Sequence, residues 1–145
     1  MKYVFPTERP LRYRFPTHIN DLVMDRSQAT ASEVFIVVIE PGSAPPLHQH
    51  NDTEQVFYVL EGQGELEIGT ETEKFPVKPG DVVRIPVATP HTIHNTGEND
   101  LMYLAIDCFP AARPQAEPTW DAHVRVVCQE NGWDYGKVLE KQDAD

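Results

Sequence analysis

The chain of 145 residues carries 12 Lys and Arg against 23 Asp and Glu, a formal net charge of −11. This balance argues against nucleic acid and anionic membranes as partners, because clustered basic residues bind both. The length predicts one domain over residues 1–145. No apolar run reaches the roughly 20 residues that span a bilayer, and the N-terminus lacks the apolar middle of a signal peptide. We therefore predict a cytoplasmic protein.

Thirteen prolines and eight glycines divide the chain into segments that are too short for helices of typical length. Strands of this length, with turn residues between them, predict an all-β sandwich or barrel. The first strand-like run, residues 32–40, is apolar on both alternating faces, which predicts a strand buried on both sides. The strand-like runs cover residues 32–40, 55–60, 65–68, 74–77, 81–85, 91–95 and 101–109.

The two ends of the chain differ from this core, which we place at residues 32–109. Residues 1–20 carry prolines and aromatics, and we expect an extended N-terminal arm that lies across a sheet or a partner subunit. A homodimer is therefore expected. The C-terminal extension, residues 111–145, starts with a linker, followed by Val124–Cys128 as a candidate strand and Lys137–Gln142 as a candidate short helix.

Four of the six histidines fall in two short windows, His48 with His50 and His91 with His94. In an extended chain, residues two apart face the same side, so the side chains of His48 and His50 can bind one ion. Gln55 opens the next strand and His91 opens a later one, and both can approach the same point. Neutral imidazole is a common ligand of divalent metals. This spacing predicts a metal site.

The segment from Gly42 to Gly62 resembles the first motif of the cupin superfamily, in which a glycine, His-x-His, a glutamate and a second glycine follow at set spacings. The segment from Gly80 to Asn95 resembles the second motif, which runs from a glycine through Pro-x-Gly to His and Asn. One short hairpin separates the two. The resemblance implies a small jelly-roll sandwich that encloses a pocket with one metal ion near its floor.

Two positions depart from the motifs. Ala88 stands where the second motif has a glycine. In the first motif, the position of the glutamate falls on Gln55, and Glu54 lies one residue earlier. A shift of one residue along a strand turns the side chain to the opposite face. We favour Gln55 as the fourth metal ligand, with Glu54 through a local bulge, or neither residue, as the alternatives.

A ligand set of His48, His50, His91 and Gln55 is neutral, so a divalent ion keeps its full charge and is a stronger Lewis acid. This favours enolisation, aldol-type cyclisation, isomerisation or lyase chemistry. Zinc is the favoured metal, and iron, nickel and manganese also accept imidazole.

Strand alternation predicts an apolar pocket wall without Arg or Lys, which suits a small apolar, oxygenated substrate, free or carrier-bound. The wall residues are Phe57, Val59, Leu66, Val83, Ile85 and Ile93. His94 and Asp107 are the candidates for proton transfer, His94 as an imidazole close to the site and Asp107 because it interrupts an apolar strand. Alternatively, His94 lies at the rim and Asp107 forms a structural hydrogen bond.

Two further histidines, His18 and His123, are expected to be structural or exposed. Trp120 and Trp133 are expected to pack the C-terminal segment onto the sandwich rather than stack on a ligand.

The small format and the neutral site are similar to those of cupin-type aromatic polyketide cyclases of antibiotic biosynthesis. That resemblance implies a metal-held poly-β-ketone chain that undergoes enolisation and aldol ring closure. Two alternatives stay open, a non-haem iron dioxygenase and a non-catalytic cupin that binds a small ligand. Iron with oxygen consumption favours the dioxygenase, and zinc with oxygen-independent turnover excludes it.

Overall fold

Two antiparallel sheets share one apolar core in the computed structural model, which describes residues 1–140. The elements are β1 (Leu11–Arg14), β2 (Ile19–Met24), β3 (Ser32–Ile39), β4 (Glu54–Glu61), β5 (Gly64–Ile68), β6 (Glu73–Val77), β7 (Val82–Ile85), β8 (His91–Asn95), β9 (Leu101–Cys108), α1 (Trp120–Asn131) and β10 (Leu139–Glu140). Single 3-10 turns occur at Arg26–Gln28 and Tyr135–Lys137. The larger sheet has the order β10-β1-β2-β3-β9-β4-β7, and the smaller one β6-β5-β8.

The seven strands predicted between residues 32 and 109 are all present, and each end agrees with the prediction to within one residue. The all-β class is thereby confirmed. Their alternation is visible in β4, where Gln55, Phe57 and Val59 are buried, and in the opposed strand β9, where Tyr103 and Asp107 are buried. The residues between them face away from the core, as a period of two requires.

Strand β3 is buried on both faces, as its apolar sequence predicted. Phe35, Val37 and Ile39 point into the main core between the sheets. Ile36 and Val38 lie on the opposite face, where they form a second, smaller cluster with Ile19 of β2. Side chains of the neighbouring strands β2 and β9, among them Met102 and Leu104, pack against this second cluster, which explains why neither face of β3 is polar.

The extended N-terminal arm becomes part of the larger sheet beyond residue 10. Residues 11–14 and 19–24 form β1 and β2, which continue the sheet outward from β3. Arg12 of β1 forms two hydrogen bonds with Asp21 of β2, at 2.7 and 2.8 Å. The arm is therefore fixed to its own sheet by backbone pairing and by one ion pair.

The C-terminal extension differs from the prediction at Val124–Cys128, which is helical rather than a strand. The valines suggested a strand, but Trp120, Val124 and Cys128 recur every four residues and are buried on one face of α1. Thr119 caps the helix start, and Gly132 ends it in the left-handed conformation. No helix within residues 1–140 is long and apolar enough to cross a membrane.

The predicted helix at Lys137–Gln142 is also wrong within its described part. Residues 135–137 form one 3-10 turn, and Leu139–Glu140 pairs as β10 with β1 at the edge of the larger sheet. Residues 141 and 142 of that prediction lie outside the described residues.

Candidate functional site

Three histidines from two segments of the chain lie side by side. His48 and His50 precede β4, and His91 begins β8. Two backbone hydrogen bonds join the segments, from His48 N to His91 O at 3.2 Å and from His91 N to His48 O at 2.9 Å. The ligand atoms of the three rings all lie within 4.8 Å of one another. The three histidines can therefore hold one metal ion, as the His-x-His spacing predicted.

Two of the rings are oriented by hydrogen bonds on their Nδ1 atoms. His48 Nδ1 lies 2.6 Å from the carbonyl oxygen of Pro46, and His91 Nδ1 lies 2.9 Å from that of Thr89. A carbonyl oxygen only accepts, so Nδ1 carries the proton and Nε2 keeps its lone pair. His91 Nε2 is buried without a hydrogen-bond partner. This tautomer leaves the Nε2 lone pair available to a metal ion.

The environment also keeps the rings uncharged. Burial and the neighbouring imidazoles lower the pKa of His50 to about 2 and that of His91 to about 4, and burial lowers the pKa of His48. The desolvated imidazolium form is disfavoured in each ring. All three rings are thus neutral at pH 7, and binding of a cation requires no loss of a proton from them.

Ala88 supports the His-x-His segment from a conformation that normally favours glycine. Its φ angle is 54°, in the left-handed region, and its N–H donates to the carbonyl oxygen of His50 at 2.7 Å. A residue with a Cβ atom costs about 1–2 kcal/mol there. The second motif therefore has a glycine at this position because the backbone is left-handed there. Ala88 adopts the same left-handed conformation at a cost in strain.

Gln55 faces the interior of the sandwich, whereas its neighbour Glu54 is half-buried on the other face of β4. Gln55 Nε2 donates to Asp107 Oδ1 at 2.8 Å. Its Oε1 atom is buried and has no hydrogen-bond partner. The strand alternation therefore favours Gln55 over Glu54, and the oxygen rather than the nitrogen of its amide is free.

Asp107 belongs to a buried polar network that the sequence did not reveal. Arg26 donates from Nε and Nη2 to Glu33 at 2.7 and 2.9 Å, and Glu33 stands opposite Asp107 in the β3–β9 register. Burial and the neighbouring Glu33 raise the pKa of Asp107 well above its usual range. The sequence does contain one indication of this network, the acidic Glu33 within an apolar strand. A buried charge needs a partner, so Glu33 could have predicted an ion pair.

A cavity of about 590 Å³ adjoins these groups. Its walls come from the inner faces of β2 and β3, from the segment before β4, and from α1 with the residues on either side of it. The aromatic lining residues are Phe15, Phe35, Tyr103, Trp120 and Trp133. His18 also lines the cavity, and burial lowers its pKa to about 3, so the His18 ring is uncharged at pH 7.

This cavity differs from the predicted pocket. The six predicted wall residues are absent from its lining and pack in the core between the two sheets: Phe57, Val59, Leu66, Val83, Ile85 and Ile93. The two sheets pack side chains into the space between them, so the open volume lies where α1 covers the sheet. The expectation of a wall without basic residues was wrong, since Arg26 lines the cavity, although Glu33 neutralises it.

His94 lies away from the other histidines. Its side chain is 46% exposed, and Nε2 pairs with Glu67 at 3.0 Å. It turns to the opposite face of β8 from His91 and is not among the residues that line the cavity. The structure therefore does not bring His94 to the three clustered rings.

His123 of α1 lines the cavity, although the sequence predicted a structural or exposed role. Its ring centroid lies 6.3 Å from that of His50, and its Nδ1 atom lies 2.8 Å from Glu117 Oε1. The hydrogen bond to His123 lowers the pKa of Glu117. No spacing in the sequence relates His123 to His50, because the approach depends on how α1 docks.

Comparison with curated proteins finds relatives of several kinds. Over 80 residues the chain is 38% identical to an uncharacterised protein of Methanocaldococcus jannaschii, covering 55% of this chain and 62% of that protein. It is 36% identical to auxin-binding protein 1 of Arabidopsis thaliana, covering 54% and 42%. It is 31% identical to quercetin 2,3-dioxygenase of Bacillus subtilis, covering 63% and 27%. The chain thus spans less than two thirds of each relative.

Among solved structures, the polyketide cyclase RemF of Streptomyces resistomycificus shares the fold. It superposes with a TM-score of 0.64 at 22% identity, over 79% of this chain and 82% of that chain. The family model of the cupin domain matches residues 35–107, which include the three clustered histidines and Gln55. Because this match covers half of the sequence, the chain belongs to the cupin domain family.

Proposed function

We propose that His48, His50, His91 and Gln55 hold one divalent metal ion, and that the protein uses this ion as a Lewis acid on a small aromatic, carbonyl-rich substrate. The observation that carries the proposal is the pair of buried atoms without partners, His91 Nε2 and Gln55 Oε1. Both are lone-pair donors of the kind that a cation satisfies. Zinc is the metal proposed first, ahead of iron, nickel and manganese.

A divalent ion held by neutral ligands polarises a carbonyl oxygen and so acidifies the neighbouring C–H bond. The protein keeps the proposed ligands of this site uncharged. Burial keeps the imidazoles uncharged, and Gln55 replaces the carboxylate of the motif. The proposed reaction class is therefore enolisation, followed by aldol ring closure when the substrate is a poly-β-ketone chain.

His123 is the proposed proton acceptor. Its Nδ1 atom donates to Glu117 Oε1, which leaves the lone pair on Nε2 free to take a proton from substrate carbon. Glu117 then stabilises the charged imidazole that results. His94 is not proposed for this role, because it pairs with Glu67 outside the cavity.

The cavity supports a substrate with aromatic and hydrogen-bonding parts. Its volume of about 590 Å³ is within the range of small-molecule sites, and its lining combines aromatic with polar side chains. Two further buried atoms without partners, Asn20 Oδ1 and Trp120 Nε1, belong to residues that line it. The homodimer and the cytoplasmic location stay predictions.

Deuterium exchange tests the proposed enolisation directly. In D₂O, zinc-loaded protein should accelerate exchange of the methyl protons of 1-(2-hydroxyphenyl)ethanone at least about 100-fold over buffer, because positioned proton transfer contributes rate factors of this order. Metal-stripped protein should show the buffer rate. His123→Asn should lower the accelerated rate at least about tenfold while the zinc content is unchanged. Proton NMR of the methyl signal measures all three.

The same assay separates the alternatives. The similarity to quercetin 2,3-dioxygenase keeps an iron dioxygenase as the second candidate. Oxygen uptake by the iron-loaded protein with an aromatic substrate, and no exchange with zinc, would replace the Lewis-acid proposal by that one. Metal-dependent binding of the ketone without exchange or oxygen uptake would indicate a binding protein.

Gln55→Glu tests whether neutrality matters. A carboxylate ligand offsets part of the metal charge, so zinc affinity should stay equal or rise, and the exchange rate should fall about tenfold or more. Competition with a chromophoric chelator measures the affinity, and NMR measures the rate. The matched control is Glu54→Gln on the other face of β4, which should change neither value. If Gln55→Glu also changes neither, Gln55 is not a ligand.

A further inference from the structure

The amide of Gln55 has two ends, and only one of them can bind a cation. The carbonyl oxygen offers lone pairs, whereas the NH₂ group only donates hydrogen bonds. Gln55 must therefore present Oε1 to the metal site and direct Nε2 elsewhere. In a buried site, a flipped amide leaves the cation against two N–H groups and abolishes ligation.

Asp107 fixes this orientation from the neighbouring strand. Gln55 and Asp107 are directly opposed in the β4–β9 register, and Nε2 donates to Oδ1 at 2.8 Å. The side chains are buried, with residue exposures of 4% and 5%. Because a carboxyl oxygen accepts the N–H of Gln55, the other end of the amide is left free, and Oε1 has no other partner.

Asp107 is in turn held by the ion pair behind it. Glu33 faces Asp107 from β3, and the guanidinium of Arg26 donates one hydrogen bond to each carboxylate oxygen of Glu33. The remaining Arg26 nitrogen, Nη1, donates to the carbonyl oxygen of Glu117 at 3.0 Å. Three elements of the fold thus anchor the network that ends at Gln55.

We propose that Asp107 is a positioning residue, which holds the amide of Gln55 with its oxygen turned to the metal site. This inference rests on the proposed function, because it requires that Gln55 is a ligand. It assigns to Asp107 a role different from proton transfer, which was one of the two roles that the sequence left open. Residues that orient a metal ligand typically change affinity about 10–100-fold when they are removed.

A double-mutant cycle on zinc affinity tests the inference. Asp107→Leu should weaken zinc binding about 10–100-fold, as measured by chelator competition at fixed pH. In the Gln55→Leu background, the same substitution should have no further effect, because the group that it orients is gone. A purely structural Asp107 would instead weaken binding by the same factor in both backgrounds, and this additive result would overturn the inference.

Asp107→Asn is the conservative variant that guards against loss of the fold. Asparagine can donate from Nδ2 to Glu33 and accept from Gln55 at Oδ1, so it should retain zinc affinity within about threefold and keep the visible absorption spectrum of the cobalt-loaded protein. A spectrum and an affinity like those of Asp107→Leu would contradict the inference.

Failure of the proposed function is distinguishable from failure of this inference. If Gln55→Leu leaves zinc affinity unchanged, then Gln55 is not a ligand and the four-ligand proposal fails. If Gln55→Leu weakens binding but Asp107→Leu does not, then Gln55 is a ligand and only the positioning role of Asp107 is wrong.

Discussion

Replacing His48 and His50 together by alanine should abolish metal binding. The proposed site then keeps only His91 and Gln55, and two neutral ligands do not retain a divalent ion against water. The metal content after dialysis, measured by elemental analysis, should fall from one ion per chain to less than a tenth of this value. Both residues precede β4 in a loop and are partly exposed, so circular dichroism should show an unchanged β-sheet signal.

The matched control is His94→Ala, which removes an imidazole that pairs with Glu67 at the outer face of β8. This variant should keep the full metal content. Unaltered stoichiometry in the double variant would show that the ion binds elsewhere, and a loss of metal in the control would mean that histidine removal acts through the fold.

Arg26→Met should destabilise the protein by about 3–5 kcal/mol, the usual cost when one partner of a buried ion pair is removed. Arg26 and Glu33 are 1% and 0% exposed, so the carboxylate left behind has no access to water. The substitution also removes the bond that ties Glu117 to the turn at Arg26–Gln28. Urea denaturation followed by tryptophan fluorescence measures the loss in the free energy of unfolding.

The double variant Arg26→Met with Glu33→Leu distinguishes a charge effect from a packing effect. Removing both charges leaves no unpaired buried charge of this ion pair, and such replacements are often neutral or stabilising. The double variant should therefore recover at least half of the lost free energy. If it is less stable than Arg26→Met, the network contributes through its packing, and the single-variant result has another cause.

The strands of the core were predictable because their signal is local. Alternation places Gln55 and Phe57 on one face of β4 irrespective of the rest of the chain. The clustering of His48, His50 and His91 followed from two motifs whose spacing reflects backbone pairing between the segments. Predicting these features required only the order of neighbouring residues and one backbone contact, between the segments of His48 and His91.

The cavity was not predictable, because it depends on contacts between distant segments. Trp120 packs against Phe35 with ring centroids 4.6 Å apart, and Phe15 meets Trp133 at 5.5 Å. No periodicity relates residues so far apart in sequence. The valine-rich part of α1 also indicated a strand, and that error hid the helix that brings His123 to the cavity.

The proposed metal ligands lie inside the segment that matches the family, whereas part of the cavity wall lies outside it. The proposed ligands all lie within residues 35–107, whereas Phe15, His18, Trp120, His123 and Trp133 lie outside it. Substitutions in the two flanking segments can therefore change which molecule fits the cavity without altering the proposed ligand residues. The proposed proton acceptor, His123, also lies outside the matched segment. Relatives that share the core with its three histidines therefore need not share a reaction or a substrate.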